Sequence, residues 1–417
     1  MTYKKNNFLI VLVCLLMSSA LSGMNLLLRP YDTLIRPTPH FLDRCTELSV
    51  WAEAGVRTQA FDGDGHSVNI FNIWNPDQNA LAMLDGFPAA SPITQLFNRL
   101  DAIDDDVRGH VSLSGKMHYD FGGAVGGRWY FLPHAWVTAY VPFYRVRLTD
   151  FSFTDLTLAN TSADLRVANM LTRPLQEVIA EFGNGLQLGG WRRTGLGDMN
   201  LLVEFMFDFP QKRPLLKEVE IDGRVGLTLP TGLKADPDRL LAFPFGYNGA
   251  VGIVWGGGLK VLLDCYIAAG IDVQLLHLFG NTRTRRIKTA MDQSDILLLA
   301  KTPAYTDYGL TQRFNLFVQA YQFYRGLSFL AGYQFLKKGE DHLALNSCEF
   351  STTIANTAVS LDEWIVHSIE LNLHYDFTKE CDGSAYAPQA SIFARIPFNG
   401  KRAIAFTTVG LMVAVDF

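Results

Sequence analysis

The last eleven residues of the sequence, TTVGLMVAVDF, alternate between two kinds of side chain. Leu411, Val413, Val415 and Phe417 are apolar, and the positions between them hold small residues, a methionine and an acid. A period of two predicts a β-strand whose two faces meet different surroundings. Such a strand needs a hydrogen-bonding partner along each edge. A closed barrel supplies both partners, because its last strand pairs with its first.

The composition agrees with a barrel that lies in a membrane. The 417 residues are 48% hydrophobic, and the mean hydropathy is +0.10. Beyond the N-terminal region no run of membrane-spanning length is uninterrupted, and Lys260, Asp264 and Asp272 break the richest stretch. In lipid only helices and closed sheets satisfy the backbone, so this pattern indicates a transmembrane β-barrel. The net charge of −5 argues against a nucleic-acid partner.

The N-terminal residues carry an export pattern. Lys4 and Lys5 precede a short apolar run at 8–17, and small residues follow. We predict a signal peptide over residues 1–22 and a periplasmic segment over 23–45. An uncleaved membrane anchor is the alternative, although the apolar run is too short to span a bilayer.

The same alternation recurs along the chain. In GDMNLLVEFMFDFP, Val203 and Phe207 lie on one face, while Glu204 and Asp208 lie on the other. We predict an all-β fold, a transmembrane antiparallel β-barrel over residues 46–417 in the outer membrane of a Gram-negative-type bacterium. Ten or fourteen strands remain alternatives to twelve. The twelve predicted strands are 46–61, 109–131, 136–150, 197–209, 218–230, 248–261, 265–280, 312–323, 327–338, 364–377, 388–397 and 402–417.

Short and long connections alternate between these strands, as they do in outer-membrane barrels with short periplasmic turns. Two long extracellular insertions, 62–108 and 151–196, contain helical spacing. The apolar stripe through Val167 and Leu171 predicts that the second insertion packs on the first and forms a lid over the barrel mouth. The alternative is an extracellular cap without a role in permeation.

Charged side chains on the inward faces form the first candidate site. Charge rings in a pore set its ion preference, whereas paired charges in a narrow lumen simply fill it. Both interpretations remain open. The lumen-facing candidates are Lys116, Asp120, Glu204, Glu218, Glu220, Asp222, Arg224, Asp272, Glu370 and Asp376.

A basic stretch, NTRTRRIK, lies in a predicted extracellular loop. Arginine binds phosphate in a bidentate manner, so Arg283, Arg285, Arg286 and Lys288 are candidates for contacting lipopolysaccharide. A solvated loop is the alternative. The acidic stretches FDGDG and DAIDDD do not complete an EF-hand, and we predict neither a metal nor a cofactor.

Four cysteines remain after the predicted signal peptide. Their spacing fits neither a zinc site nor a dense disulfide framework. One disulfide bridge is conceivable in an oxidising compartment, without an assigned pair. These cysteines are Cys45, Cys265, Cys348 and Cys381.

The final strand resembles the C-terminal signal by which bacterial outer-membrane proteins are recognised for assembly. Phe417 with Leu411, Val413 and Val415 in phase carries this resemblance. The resemblance implies that the barrel assembly machinery and outer-membrane lipid are partners of the chain.

A second resemblance covers about residues 195–231. The segments GLGDMNLLVEFMFDF and GRVGLTLPTG look like strand pairs of outer-membrane proteins linked to phenol and hydrocarbon degradation. The resemblance implies a channel for aromatic compounds. The matching positions are Gly195, Gly197 and Asp198 in one motif, and Leu229, Pro230, Thr231 and Gly232 in the other.

The sequence therefore predicts an outer-membrane channel that passes small molecules, including hydrophobic ones, of unidentified structure. A sealed barrel with a structural or adhesive surface role is the competing class. A barrel enzyme is the third class, and we predict that the chain is not one. Adjacent His367 and Ser368 point to opposite faces of a strand and cannot form a catalytic pair.

Overall fold

The computed structural model describes residues 33–39, 45–103, 107–263, 266–377 and 386–417. The predicted signal peptide and two cysteines, Cys265 and Cys381, lie outside the described residues. Twelve long strands dominate the described part. They are β1 (Thr46–Phe61), β2 (His110–Leu132), β3 (Ala135–Asp155), β4 (Met199–Pro210), β5 (Leu216–Leu229), β6 (Gly252–Leu263), β7 (Ile267–Leu278), β8 (Thr311–Tyr324), β9 (Leu327–Lys338), β10 (Trp364–Asp376), β11 (Ala387–Lys401) and β12 (Ala403–Asp416).

The twelve strands form a closed antiparallel barrel in which each strand pairs with its chain neighbours. Closure comes from β12, which pairs with β1 in a register that places Glu47 opposite Asp416 and Val50 opposite Val413. The last strand therefore has no free edge. The predicted barrel class and strand number are confirmed, and the predicted strand boundaries agree with the observed ones to within a few residues.

The alternation of side chains divides the barrel into a lipid face and a lumen face. On β12, Leu411 and Val413 are more than half exposed, whereas Met412 and Ala414 are buried. Exposed aromatic residues border the lipid face at the short-turn end, where the rings of Tyr386 and Phe417 meet edge-to-face at 5.7 Å. Exposed aromatic residues in such a belt are typical of the membrane–water interface of outer-membrane barrels.

A β-bulge in β2 reverses which residues face the lumen. Val146 and Arg145 on β3 pair with Tyr119 and Phe121, so Asp120 is an extra residue in the ladder. On the side of the bulge toward His110, Tyr119 points inward and donates a hydrogen bond to Glu53 at 2.6 Å. The residues flanking Tyr119 therefore point outward.

Strands β1 and β2 also separate at this height. Their backbone pairing ends at Glu53 and Gly122, and residues 67–70 of the first long loop lie between the strands beyond that point. Val68 donates a backbone hydrogen bond to Ala60 on β1 at 3.0 Å. A cavity of about 450 Å³ marks this interruption of the wall.

The long-loop end carries the remaining secondary structure. A small sheet consists of Asn281–Arg286, Lys301–Asp307 and His342–Leu345. Trp191–Leu196 extends the barrel sheet beside β3, and Gln78–Asn79 pairs with β2. The helices are α1 (Pro92–Leu100), α2 (Ser162–Val167), α3 (Leu175–Phe182) and α4 (Thr352–Ala355), with shorter helical turns at Ala82–Leu84, Ala168–Thr172 and Val359–Leu361. Among the described residues, none of the helices has the length and apolarity needed to cross a membrane.

The two long insertions pack on each other, as the apolar stripe predicted. Val167 and Leu171 are fully buried in one hydrophobic cluster with Leu84 and Leu100 from the first insertion. Arg108 and Asp164 form an ion pair across the same contact at 2.6 Å. This hydrogen-bonded pair lowers the pKa of Asp164 to about 2. The insertions therefore form a single layer at the long-loop end.

Candidate functional site

A cluster of buried charges crosses the lumen near its middle. Arg224 on β5 donates hydrogen bonds to Asp222, at 2.9 Å, and to Asp272 on β7. Glu204 on β4 accepts hydrogen bonds from the Trp136 indole at 2.6 Å and from the Thr138 hydroxyl at 2.7 Å. These four charged residues face the lumen, and the pair of Arg224 and Asp272 links two strands, β5 and β7, that are separated by β6.

Residues 33–39 lie inside the barrel against this cluster. Arg36 approaches Glu204 at 3.3 Å and Asp222 at 3.7 Å. Thr33 donates a hydrogen bond to Asp272 at 2.8 Å. We predicted a periplasmic location for the segment 23–45, so the position of residues 33–39 is a correction. We call these seven residues the lumenal segment.

The lumenal segment is held by the wall along its length rather than at one end. Arg128 on β2 donates to the Pro37 carbonyl at 2.9 Å, and Asn372 on β10 donates to the Leu34 carbonyl at 3.1 Å. Gln389 on β11 exchanges two hydrogen bonds with the Thr38 backbone, each at 2.8 Å. The segment thus provides hydrogen-bond partners for polar side chains of the wall. The alternation of the strands alone would leave these side chains facing an open pore.

An anionic cavity of about 410 Å³ lies beside the lumenal segment toward the short-turn end. Asp208, Glu218 and Glu220 line it, and their carboxylate oxygens lie within 4.8 Å of one another. Lys260 on β6 reaches Glu220 at 2.6 Å. Asp376 lines the same cavity. This half of the lumen therefore carries more negative than positive charge.

Glu370 also faces the lumen, where it is fully buried and accepts a hydrogen bond from Arg395 on β11. The neighbouring pair of His367 and Ser368 lies on opposite faces of β10. Ser368 is buried, and His367 is hydrogen-bonded to the Tyr333 hydroxyl at 2.7 Å on the other face.

Two predicted lumen residues, Lys116 and Asp120, instead lie on the outer surface. The bulge at Asp120 shifts the alternation by one residue, so both side chains point away from buried Tyr119. Lys116 pairs with Asp150 at 3.0 Å, and Asp120 pairs with Arg147 at 2.7 Å. Their assignment to the lumen was wrong because the sequence pattern was continued through the bulge.

The predicted lipopolysaccharide-binding cluster is also corrected. Arg286 donates to the carbonyls of Leu298 and Leu299 and pairs with Asp238 at 2.9 Å. Lys288 is only 4% exposed. Neither side chain reaches the lipid, because the small sheet turns this face toward the other loops. Arg283 and Arg285 are partly buried and lie on the face of their strand opposite the exposed Thr282 and Thr284.

The two motifs that resemble hydrocarbon-pathway proteins meet at one corner of the barrel mouth. Asp198 accepts hydrogen bonds from the backbone N–H groups of Gly232, at 2.7 Å, and Tyr247. A side chain at Gly246 would collide with the Asp198 carboxylate. Burial raises the pKa of Asp198, and the two backbone donors oppose that rise. The corner fixes the loop 230–251 over the lumen.

That loop encloses a second cavity, of about 230 Å³, at the long-loop end. We call it the loop cavity. Part of its wall is apolar and comes from several loops, which explains why no local sequence pattern indicated it. The apolar lining includes Trp74, Leu240, Leu241, Phe243, Ile296 and Leu298.

Sequence reasoning missed Arg36 and the loop cavity. Arg36 lies between Pro30 and Pro37, in a segment too short for a strand. The only available sequence signal for it was an inward-facing acid that had no cationic neighbour in the sequence. Cys45 and Cys348 are unpaired and exposed in the part of the chain that the structure describes.

Comparison with known proteins places the fold among outer-membrane barrels. The crystal structure of the COG4313 outer membrane channel from Pseudomonas putida F1 has a TM-score of 0.50 and 12% identity, over 93% of this chain and 100% of that chain. The NanC porin has a TM-score of 0.29 and 8% identity, over 74% and 98% of the two chains. The CymD monoaromatic hydrocarbon channel has a TM-score of 0.28 and 10% identity, over 90% and 89%.

No family model and no curated protein sequence matches the chain. The likeness in fold, together with the closed twelve-stranded barrel and its apolar outer face, shows a β-barrel of the Gram-negative outer membrane. The predicted fold and location are confirmed.

Proposed function

We propose that the protein is an outer-membrane channel for small molecules, closed at rest by its lumenal segment and by the loops. The observation that carries this proposal is how the lumen is filled. Residues 33–39 are hydrogen-bonded to side chains from β2, β7, β10 and β11. They therefore lie between different sides of the lumen wall. A barrel sealed for structural reasons could fill its interior with wall side chains alone.

The two cavities support the same proposal. One lies in the loops, and the other lies beside the lumenal segment, where Arg36, Asp222 and Asp272 of the charge cluster around Arg224 line it. A solute that passes through must cross this cluster. Because the cluster contains Arg36 of the lumenal segment, release of that segment removes one of its cations.

Replacement of residues 33–39 by a Gly/Ser stretch of equal length is expected to increase single-channel conductance in planar bilayers. The replacement removes the hydrogen bonds from Thr33 and Arg36 to the wall without shortening the chain. A matched control changes Lys212 and Arg213 to serine, because both are exposed in the turn between β4 and β5.

Heat-modifiable migration in gels establishes that each variant retains its barrel. Unchanged conductance in a folded segment variant would support the sealed, structural barrel instead of the channel. An equal conductance increase in the Lys212/Arg213 control would show that loss of charge, rather than loss of the segment, is responsible.

We also propose that lipopolysaccharide contacts the outer surface of β3, not the NTRTRRIK loop. Phe121 is exposed and Phe143 is half-buried, and their ring centroids lie 5.4 Å apart. Arg145, Arg147 and Arg192 lie directly beyond this pair on the outer face. Arginines at this height can bind the phosphates of lipopolysaccharide.

Changing Arg145, Arg147 and Arg192 together to serine is expected to weaken lipopolysaccharide binding by about 1 kcal/mol for each cation removed. The measurement is retention of lipopolysaccharide by the purified barrel. Serine at Lys212, Arg213 and Lys217 is the control, since it removes three cations from the opposite end. Equal losses in the two variants would refute a specific surface.

A further inference from the structure

The loop cavity combines an apolar wall with one cation that forms no ion pair in the part of the chain that the structure describes. Four cations line it, and three of them have acidic partners. Arg239 pairs with Asp236 at 3.4 Å, Arg286 with Asp238 at 2.9 Å, and Lys338 with Asp341 at 3.3 Å. The fourth is Arg285, which forms no ion pair within the described ranges and donates only to the Thr306 hydroxyl, at 3.0 Å.

The two acids in the lining, Asp341 and Asp295, have partners other than Arg285. Asp341 is buried and accepts hydrogen bonds from Lys338 and from the Gly309 N–H group. Burial raises the pKa of Asp341, and the positive charges of Lys338 and Arg285 oppose that rise. Asp295, the other acid in the lining, lies 4.0 Å from Lys288 and accepts hydrogen bonds from Ser360. Arg285 therefore retains donors for an anion that comes from outside the chain.

The orientation of Arg285 follows from its strand. In Asn281–Arg286, Thr282 and Thr284 are exposed, whereas Arg283 and Arg285 are partly buried on the opposite face. The hydrogen bond from Arg285 to Thr306 on the paired strand fixes the guanidinium beside the cavity. The Arg285 guanidinium, which the sequence suggested as a phosphate contact, is thus directed toward the loop cavity.

We propose that the loop cavity binds a small monocarboxylate with an apolar body about the size of one aromatic ring, and that Arg285 binds its carboxylate. The proposal rests on the proposed channel function, since it names the class of solute that the channel admits. An apolar cavity of about 150 Å³ holds benzene. The 230 Å³ of the loop cavity leaves room for a ring and one carboxylate, but not for a drug-sized molecule.

The two parts of such a ligand meet matching walls. The ring contacts Trp74, Phe243 and Leu298, whose apolar surfaces gain from excluding water. The carboxylate accepts charge-assisted hydrogen bonds from Arg285, which are stronger than those between neutral groups. A neutral hydrocarbon would gain the first contribution only and would leave the guanidinium without an anion.

The test uses the purified full-length barrel in detergent, with benzoate and the neutral benzamide as probes in isothermal titration calorimetry. Benzoate is expected to bind the unmodified protein about ten- to a hundredfold more tightly than benzamide, as a charge-assisted hydrogen bond predicts. Arg285→Gln is expected to abolish that preference. Arg239→Gln is the matched control, because Arg239 lines the same cavity but is paired with Asp236.

Equal affinities of benzoate and benzamide for the unmodified protein would overturn the proposal, even if the Arg285 variant failed to fold. Retained benzoate preference in a folded Arg285→Gln variant would overturn the role of Arg285. Binding is measured without any conductance. A protein that conducts but does not prefer benzoate refutes this inference alone, whereas one that binds benzoate and never conducts refutes the channel.

Discussion

Replacing Arg224 with methionine is expected to destabilise the folded barrel by about 3–5 kcal/mol. The Arg224 guanidinium is fully buried, and its removal leaves Asp222 and Asp272 with less positive charge in the lumen. From the sequence, replacing Arg224 with an apolar residue should have only a mild effect on stability, unless Arg224 neutralises Glu220 or Asp222. The ion pair with Asp222 meets that condition. The free energy of unfolding in urea, with the protein in lipid vesicles, checks the value.

The double variant Arg224→Met with Asp272→Asn is the control for this prediction. It removes one buried charge of each sign, so its loss should be clearly smaller than that of Arg224→Met alone. If the double variant is less stable than the single one, the pairing does not account for the effect. If Arg224→Met unfolds like the unmodified barrel, the lumen is better hydrated than the buried cluster indicates.

Replacing Val225 with arginine is expected to cost about 2–4 kcal/mol, for the opposite reason. Val225 follows Arg224 by one residue, lies on the lipid face and is 51% exposed. An arginine there places a charge in the hydrocarbon near the middle of the strand. Vesicle-based unfolding in urea measures the loss, and Leu215→Arg in an exposed turn is the matched control.

Leu215→Arg is expected to be nearly neutral, because its charge reaches water. A similar loss at 215 and 225 would contradict the assigned lipid face. Together, the Arg224 and Val225 variants test whether adjacent residues on β5 face a charged interior and an apolar exterior.

The sequence was sufficient to predict the barrel because lipid imposes a strict pattern on every strand. The alternation through Val203 and Glu204 predicted both their faces and the strand that carries them. The closing strand was equally predictable from the sequence, since Leu411 and Val413 continue the same alternation in the last strand. In each strand the two faces meet sharply different surroundings. A shift of the strand register by one residue would therefore be costly, because it would exchange the two faces.

The errors arose where a single residue or a distant contact decides the outcome. One extra residue at Asp120 reversed the faces of Lys116 and Asp120, and no composition signal marks such a bulge. The inward turn of Arg286 depends on carbonyls of Leu298 and Leu299, which lie across a loop. Likewise, residues 33–39 carry no periodicity, so their position depends on partners hundreds of residues away.

The lumenal segment belongs to the same chain as the wall that holds it. Only a short stretch of sequence separates Pro39 from Thr46, where β1 begins. A ligand tethered this closely acts at an effective concentration in the millimolar range or above. A freely diffusing solute that competes for the same wall groups must reach a comparable concentration or bind more tightly than the segment does. We therefore expect the barrel to be selective against dilute solutes, even those that fit its lumen.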